Sequence, residues 1–430
     1  MNYFCLIFNV VIWLVCFLYV SLRLRRICVT TAILMLYLII SILGVHLFFS
    51  PYALGFFIDL KIFPYIYLFC MIMMAVYPLY KVDRCNVCTI TTPHRLLFNA
   101  VCICVVFLSL INVLSLMENI HQGIFNLFVD EDYGRLAYYE TASNYTSASK
   151  SKGLGEYNYI GILSNVAKSI SPLFFIYYLT LKKRNIYILI GLSFSSLLSP
   201  LVGLSTGSRG ALMMMAINVI FLFIFLKNMF DSFVYKKIKR LFLLFFVLLL
   251  VPFFIITISR NEGDFDRMLF SLERYSSESF LRFNNYCLDA NGCRDADYVL
   301  PVAKELLGLN PARDYAARLS KYSYMNIDES VFYTFVGDFT LDFGPFLSVI
   351  IFFFLMIMFV NALSAKRKEI YFYQYILYYI LLVSCLGYYQ FPWGRIEGNL
   401  QLIVLLLLMF VFYMDSVRLR RNKKLTIENY

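Results

Sequence analysis

The sequence contains several stretches of roughly 20 residues with almost no charged side chain. A helix of that length crosses the apolar core of a bilayer. Within lipid such a segment must be helical, because its backbone N–H and C=O groups have no water to bind. Apolar residues make up 61% of the chain and charged residues 15%, whereas a soluble chain is nearer half apolar and about a quarter charged. The pattern predicts an all-α polytopic integral membrane protein. It excludes a soluble globular enzyme, a disordered chain and a disulfide-rich secreted module.

Eleven apolar stretches predict about eleven transmembrane helices within a single membrane domain over residues 1–430. They cover residues 3–20, 28–49, 62–80, 96–116, 158–181, 186–206, 211–226, 241–258, 338–362, 371–390 and 400–414. The first stretch has neither a basic leader nor a small-residue cleavage site, so we expect a retained span rather than a signal peptide.

The positive charges lie mostly in the connections on one side of the predicted membrane. Six alternate segments, beginning after the first span, hold 22 of the 38 Lys and Arg residues but only five of the 27 acidic residues. Because basic loops stay in the cytoplasm, we expect the N-terminus outside and the C-terminus inside. The net charge of +11 is therefore a topology signal, and we expect no nucleic-acid partner. Both long connections, 117–157 and 259–337, then lie outside, where we expect the chemistry to take place.

A polar break between spans six and seven places Arg209 between two glycines, beside the hydroxyl groups of Ser205, Thr206 and Ser208. An arginine near membrane depth is costly, which makes it a functional candidate. Small neighbours such as Ser208 and Gly210 let an anion approach the backbone, and the free amide groups at the start of span seven would face that anion. The alternative is a tight helical hairpin whose arginine extends to the lipid headgroups.

The second outer loop opens with four arginines at seven- or eight-residue spacing: Arg260, Arg267, Arg274 and Arg282. Seven residues bring a helix back to within about 20° of the same direction. Apolar residues fall on the opposite stripe, so residues 264–286 are predicted to form an amphipathic helix on the outer membrane surface, with its arginines facing away from the lipid. Glu278 lies four residues from both Arg274 and Arg282 and is expected to pair with them.

Arginine side chains suit phosphate and pyrophosphate, because the guanidinium group donates two parallel hydrogen bonds. The four arginines are therefore candidates for binding such an anion. The alternative is a solvated face, since the same loop carries twelve acidic residues against nine basic ones. Further along the loop, Lys304, Arg313 and Arg318 are expected to be solvated charges that tolerate alanine.

Three further places carry candidate side chains. Asp338 and Asp342 are four residues apart at the start of span nine, where they are either an acid–base pair or caps of the helix N-terminus. Arg395, between spans ten and eleven, has Glu397 as a local partner. In the first outer loop, Arg135 and Tyr138 follow three acidic residues, a combination typical of sugar binding and also of an interfacial aromatic belt.

The sequence predicts no metal site and no cofactor. Its three histidines are scattered, and the lone Cys85–Cys88 pair has no second pair nearby to complete a zinc site. Cys287 and Cys293 are the two cysteines of the second outer loop, and the turn-forming Asn291–Gly292 between them allows a disulfide that would act as a structural staple.

With these features the chain resembles the Wzy-type family of oligosaccharide repeat-unit polymerases, the O-antigen and capsule polymerases, which share a superfamily with the O-antigen ligases. The resemblance rests on the whole-chain architecture, on the arginine-bearing loop after span eight and on three short motifs. These motifs are Thr206–Ala211, similar to an SRG-type signature at the outer end of a span, Glu278–Tyr286 in the second outer loop, and Gly337–Gly344 at the start of the next span.

The resemblance implies a GT-C-like fold and a metal-independent glycosyltransferase in the bacterial inner membrane. Such enzymes transfer a growing glycan from undecaprenyl pyrophosphate to the terminal sugar of an incoming lipid-linked repeat at the outer leaflet. Membrane lipid and a chain-length regulator are further candidate partners. Arg209 matches a family position. The related ligases use a histidine in the outer loop, but this chain has none after His121, so Glu278, Asp338 and Asp342 remain candidates for the general base.

Other classes stay open beside this interpretation. A flippase or transporter for lipid-linked glycans needs a central polar pathway, whereas the predicted spans carry few charged residues, Lys168 being an exception. An O-antigen ligase is disfavoured by the missing histidine. A membrane acyltransferase would need an intramembrane histidine, and His46 is the single candidate.

Overall fold

The computed structural model describes residues 1–111, 159–205, 209–260, 264–313, 315–329, 331–364 and 368–428, with a few isolated residues between 113 and 125. These residues are mostly helical. The helices are α1 (Asn2–Leu24), α2 (Val29–Phe49), α3 (Ile62–Cys85), α4 (Arg95–Leu110), α5 (Tyr159–Tyr178), α6 (Ile186–Ser205), α7 (Arg209–Leu226), α8 (Ser232–Arg260), α9 (Phe265–Arg282), α10 (Pro301–Leu306), α11 (Tyr315–Lys321), α12 (Thr334–Phe343), α13 (Pro345–Ala362), α14 (Phe372–Cys385) and α15 (Arg395–Glu428).

Every predicted span falls largely or wholly on one of these helices. Eight helices of the described chain are long and apolar enough to cross a membrane: α1, α2, α3, α5, α6, α7 with the 3₁₀ turn after it, α13 and α15. Helices α4 and α14 are apolar but shorter, and α8 contains the predicted span 241–258 within its 29 residues. The protein is therefore an all-α membrane protein, while the count of eleven spans stays a prediction.

The predicted cytoplasmic segments contact one another at one end of the bundle. The amide of His94 donates to Asp415 at 2.8 Å, and the amide of Cys88 donates to the carbonyl of Lys368 at 2.9 Å. Strand β1 (Thr89–Thr91) pairs in parallel with strand β2 (Glu369–Tyr371), so two connections that are distant in sequence are joined at this end.

The predicted outer segments contact one another through a second, separate set of hydrogen bonds and ion pairs. Asn2 donates to Asp59 at 3.0 Å, and Lys61 pairs with Asp289 at 2.5 Å. Helices that cross in alternating directions require this separation of connections into two ends. That the basic end faces the cytoplasm stays a prediction.

The predicted ninth span is broken in the structure. Helix α12 ends at Phe343, Gly344 takes a φ of 78°, and α13 begins at Pro345. A positive φ is accessible to glycine at little cost, and proline can start a helix but not continue one. Asp338 and Asp342 therefore lie within a separate buried helix, and the prediction that they cap a long span is wrong.

The helix predicted over 264–286 is α9, which is followed by a π-helical turn, Phe283–Cys287. Asp264 caps its N-terminus by accepting from the amides of Asp266 and Arg267 at 3.0 and 3.2 Å. The C-terminal half does not lie on a surface, because residues 277–282 are all buried and α9 packs along α2. Phe280 lies against the rings of Trp13 and Tyr37, which anchors this half in the helix bundle.

Candidate functional site

The arginine stripe of α9 forms an ion network around one carboxylate. Glu278 Oε2 lies 2.8 Å from Nε of Arg274, and Oε1 lies 3.1 Å from Nε of Arg282. Both pairs have the four-residue spacing from which the sequence predicts them. Arg274 is half exposed, but Arg282 is buried inside the protein, so the prediction that the arginines form the outward face of a surface helix is wrong for Arg282.

Aromatic rings from the loop between α2 and α3 cover these arginines. The Arg274 guanidinium lies 5.7 Å from the ring centre of Phe56, and that of Arg282 lies 5.2 Å from Phe57 and 5.9 Å from Tyr286. Cation–π contacts of this kind hold a guanidinium in place without using all of its N–H groups. Among the described residues, the hydrogen bond of Arg274 to Glu278 uses its Nε–H group only.

Two amides in the motif Glu278–Tyr286 hold this loop in position. Asn284 accepts from the amide of Lys61 at 2.9 Å and donates to its carbonyl at 2.7 Å. Asn285 makes the same two bonds with Ile58, both at 3.1 Å. The segment Glu278–Tyr286 thus fixes the aromatic loop over the arginines.

A groove of about 830 Å³ lies between α1, α2 and the first half of α9. Its walls are mostly apolar, and Ile7, Val11, Ile42 and Phe49 are exposed along it. Since α1 and α2 are candidate spans, we expect this apolar surface to face the lipid.

A histidine and a carboxylate lie together in this groove, and sequence reasoning misses the pair. Nδ1 of His46, in the last turn of α2, lies 2.6 Å from Oε1 of Glu273 on α9. The Glu273 side chain is 5% exposed and that of His46 is 66% exposed, so the carboxylate orients the imidazole and the rest of the ring is open to the groove. Arg274 follows Glu273 directly. The one signal in the sequence is a histidine at the outer end of a span.

A second cluster surrounds Arg294, which the sequence does not single out. Its side chain is 3% exposed and contacts three carboxylates, Asp342 at 2.8 Å and Asp338 and Glu329 at 3.3 Å. Glu329 also contacts Arg318 at 3.1 Å. Three carboxylates thus share two guanidinium groups.

Both helical aspartates are occupied by structural contacts. Asp342 also accepts from the amides of Tyr298 and Val299 at 3.0 and 2.7 Å, and Asp338 accepts from the amide of Phe391 at 2.7 Å. Burial raises the pKa of Asp338 to about 6, although Arg294 and the Phe391 amide oppose the shift. This placement favours a role in tying three segments together over the predicted role of general base.

Several predicted loop charges belong to this folded region. Arg318 is buried and lies 5.4 Å from the ring centre of Tyr298, Lys304 pairs with Asp297, and Arg313 pairs with Glu305. The prediction that Arg318, Lys304 and Arg313 are solvated is wrong, because the outer loop folds back on itself and gives each a carboxylate partner.

Arg395 begins α15 and is exposed. Its guanidinium lies 5.6 Å from the ring centre of Tyr298, and its amide donates to the Tyr298 carbonyl at 2.8 Å. This contact with Tyr298 takes the place of the predicted local contact with Glu397. Arg267 is also exposed and contacts Asp264 at 3.4 Å.

Cys287 and Cys293 are free thiols in the structure, so the predicted disulfide is not formed. The Cys287 sulfur lies beside Gly337, whereas the Cys293 sulfur lies beside Gly344. These glycines are two turns of helix apart, which directs the two thiols to different places. Burial raises the pKa of the Cys287 thiol well above its usual range.

The remaining candidates are only partly described. Arg209 and Gly210 are the first two residues of α7, and Arg260 is the last residue of α8. The side chains of Arg209 and Arg260 lie outside the described part of the chain, as do all of Arg135, Tyr138 and Ser208.

The described candidates therefore separate into an accessible cluster on α9 beside a groove and a buried cluster around Arg294. Comparison of the chain with models of known protein families, with curated proteins and with solved structures finds no match.

Proposed function

We propose that this protein is a glycan polymerase of the Wzy type, which joins oligosaccharide repeats carried on undecaprenyl pyrophosphate at the outer leaflet. The observation that carries the proposal is the groove between α1, α2 and α9, which combines a lipid-facing apolar wall with His46, Glu273 and the neighbouring Arg274. A lipid-linked substrate needs these features together: an apolar surface for its tail, a cation for its diphosphate and a base at the depth of its sugar.

The apolar wall suits a polyprenyl tail. Burying an apolar chain releases roughly 0.8 kcal/mol per CH₂ group when it leaves water, but much less when it leaves lipid. The groove would therefore orient the tail rather than supply most of the affinity. Orientation is what the reaction needs, since it would place the diphosphate near Arg274 of α9, which lies over Phe56 in the connection after α2.

The His46–Glu273 pair supplies the base that the predicted aspartates do not. In the proposed step, the hydroxyl group of the acceptor sugar gives its proton to Nε2 of His46 as its oxygen bonds to the anomeric carbon of the donor sugar. The bond between that carbon and the diphosphate oxygen breaks, and its electron pair stays on the diphosphate. Glu273 holds the imidazole and stabilises the cation that forms.

The leaving diphosphate gains negative charge beside an apolar boundary, so cationic donors there stabilise the transition state more than they would in water. Arg274 is the described residue that best fits this role, because it is half exposed and fixed by Glu278 and Phe56. Arg209 is the second candidate on the strength of its motif.

The test is polymer formation by the full chain in lipid vesicles supplied with lipid-linked repeats. We expect a ladder of lengthened glycans from the wild type. Arg274→Met should lower the rate about 10²- to 10³-fold. A flippase would move the repeats across the membrane without lengthening them, and that result from the wild type would overturn the proposal.

The base is tested in the same assay. We expect His46→Ala to lower kcat about 10²- to 10⁴-fold with little change in KM, and added imidazole to restore part of the rate. His94→Ala, at the opposite end of the bundle, is the matched control. Glu273→Gln should lower kcat less, and Glu273→Asp should recover part of that loss, as a positioning role requires. Full activity in His46→Ala would remove the pair from the mechanism.

A further inference from the structure

A second cavity, of about 200 Å³, lies inside the helix bundle between α5, α6, α7 and the segment that joins α14 to α15. Ser199 and Pro200, in the last two turns of α6, line it, as do Met214 and Met215 in the first two turns of α7. The cavity thus lies at the end of the bundle where Arg209 starts α7.

Lys168 of α5 lines this cavity and is 5% exposed. Among the described residues, no carboxylate pairs with its ammonium group and no acceptor takes a hydrogen bond from it. Asn218, which also lines the cavity, has a buried Oδ1 with no donor in the described chain. The other described residues of the lining are neutral. A buried ammonium without a partner is strongly unfavourable, so an anion that entered this cavity would be stabilised by Lys168.

The rest of the lining suits a phosphate group. Gln390 and Gln401 supply amide groups, Ser196 and Ser199 supply hydroxyl groups, and Trp393 supplies an aromatic wall. At about 200 Å³ the cavity is large enough to take a phosphate group.

We propose that the Lys168 cavity binds the phosphate group of a second lipid-linked substrate. The cavity and the His46 groove flank α9, because Tyr389, which lines the cavity, stacks on Tyr275 at 6.0 Å and Ser279 donates to the Tyr388 carbonyl at 2.7 Å. The assignment to a second substrate rests on the proposed function, since polymerisation joins two lipid-linked glycans. The assignment to a phosphate rests on the buried Lys168 and on the neutral polar groups of the lining.

The experiment measures binding by the full chain in detergent micelles, using native mass spectrometry and thermal unfolding. The probes are undecaprenyl phosphate, undecaprenol as the same tail without the phosphate, phosphatidic acid and inorganic phosphate. We expect the wild type to bind undecaprenyl phosphate about 10- to 100-fold more tightly than undecaprenol, as a charge-assisted contact provides. Measured in an Arg274→Met background, which lacks the cation beside the groove, Lys168→Met should remove this preference, and Lys239→Met, at an exposed position of the basic end, should retain it.

Thermal unfolding separates a ligand site from a structural lysine. Without ligand, Lys168→Met and Lys168→Gln should be at least as stable as the wild type. In the Arg274→Met background, undecaprenyl phosphate should raise the Tm only of the protein that keeps Lys168. Competition by phosphatidic acid would identify the site as one for any lipid phosphate, and competition by inorganic phosphate as one for the free anion.

Two results would overturn the inference. One is unchanged preference for undecaprenyl phosphate in Lys168→Met. The other is a lowered Tm in both variants without ligand, which would mean that Lys168 already has a structural partner. Because binding needs no turnover, a wild type that binds but makes no polymer would contradict the proposed function alone.

Discussion

Arg294 is the residue whose removal should damage this protein most. Arg294→Met keeps much of the apolar volume but removes the cation shared by Asp338, Asp342 and Glu329. All three carboxylates are buried, and Arg318 contacts only Glu329 among them. Removing one partner of a buried ion pair costs about 3–5 kcal/mol, and we expect a loss in that range near pH 8.

The loss should depend on pH in a defined direction. The folded protein holds the pKa of Asp338 at about 6, above the value of 3.8 for an unperturbed carboxyl group. The native state therefore binds this proton more tightly than the unfolded chain, so the contribution of Asp338 to stability is largest below pH 4 and is lost as pH rises through 6. Without Arg294 the carboxyl groups hold their protons still more tightly, so Arg294→Met should be less damaging at pH 5 than at pH 8.

The measurement is the free energy of unfolding in micelles, by denaturant titration at both pH values. Arg267→Met is the matched control, since Arg267 forms an exposed ion pair and should cost no more than about 1 kcal/mol. Asp338→Asn removes one of the three carboxylates that share two guanidinium groups. The free energy of unfolding of this variant should therefore vary less between pH 4 and 6 than that of the wild type. An Arg294→Met protein within about 1 kcal/mol of the wild type at pH 8 would refute the account of this cluster.

Three other predictions address the site and the topology. Arg209→Ala should abolish polymer and leave single repeats at the surface, whereas Arg209→Lys keeps the charge but loses the paired donors and should be impaired; full-length polymer from a normally expressed Arg209→Ala would mean that the segment is only a hairpin. Thiol labelling should modify Cys293 but not the buried Cys287, with or without reductant. If Cys293 is labelled only after reduction, the two cysteines form a disulfide after all. Reporter fusions after Arg184 should read cytoplasmic and one near Asn291 should read external, and a cytoplasmic reading near Asn291 would reverse the orientation.

The membrane class and the helices follow from the sequence because their causes are local. A run of apolar residues must form a helix in lipid whatever lies beside it, and the four-residue spacing of Arg274, Glu278 and Arg282 places their side chains together on any helix. For the same reason, the arginine spacing together with the opposite apolar stripe predicts the helical segment that becomes α9.

The partners of the buried charges are decided by the tertiary structure. In the sequence, nothing distinguishes Arg294 from the other charges of an acidic loop; in the structure, α12 places Asp338 and Asp342 in contact with it. In the same way, the sequence predicts that Arg318 is solvated, whereas the structure pairs it with Glu329. His46 gains Glu273 only because α9 enters the bundle along α2 instead of lying on its surface. Sequence periodicity determines which face of a helix is apolar, but the energy of a buried charge depends on groups that are distant in the chain, and only the folded protein brings those groups together.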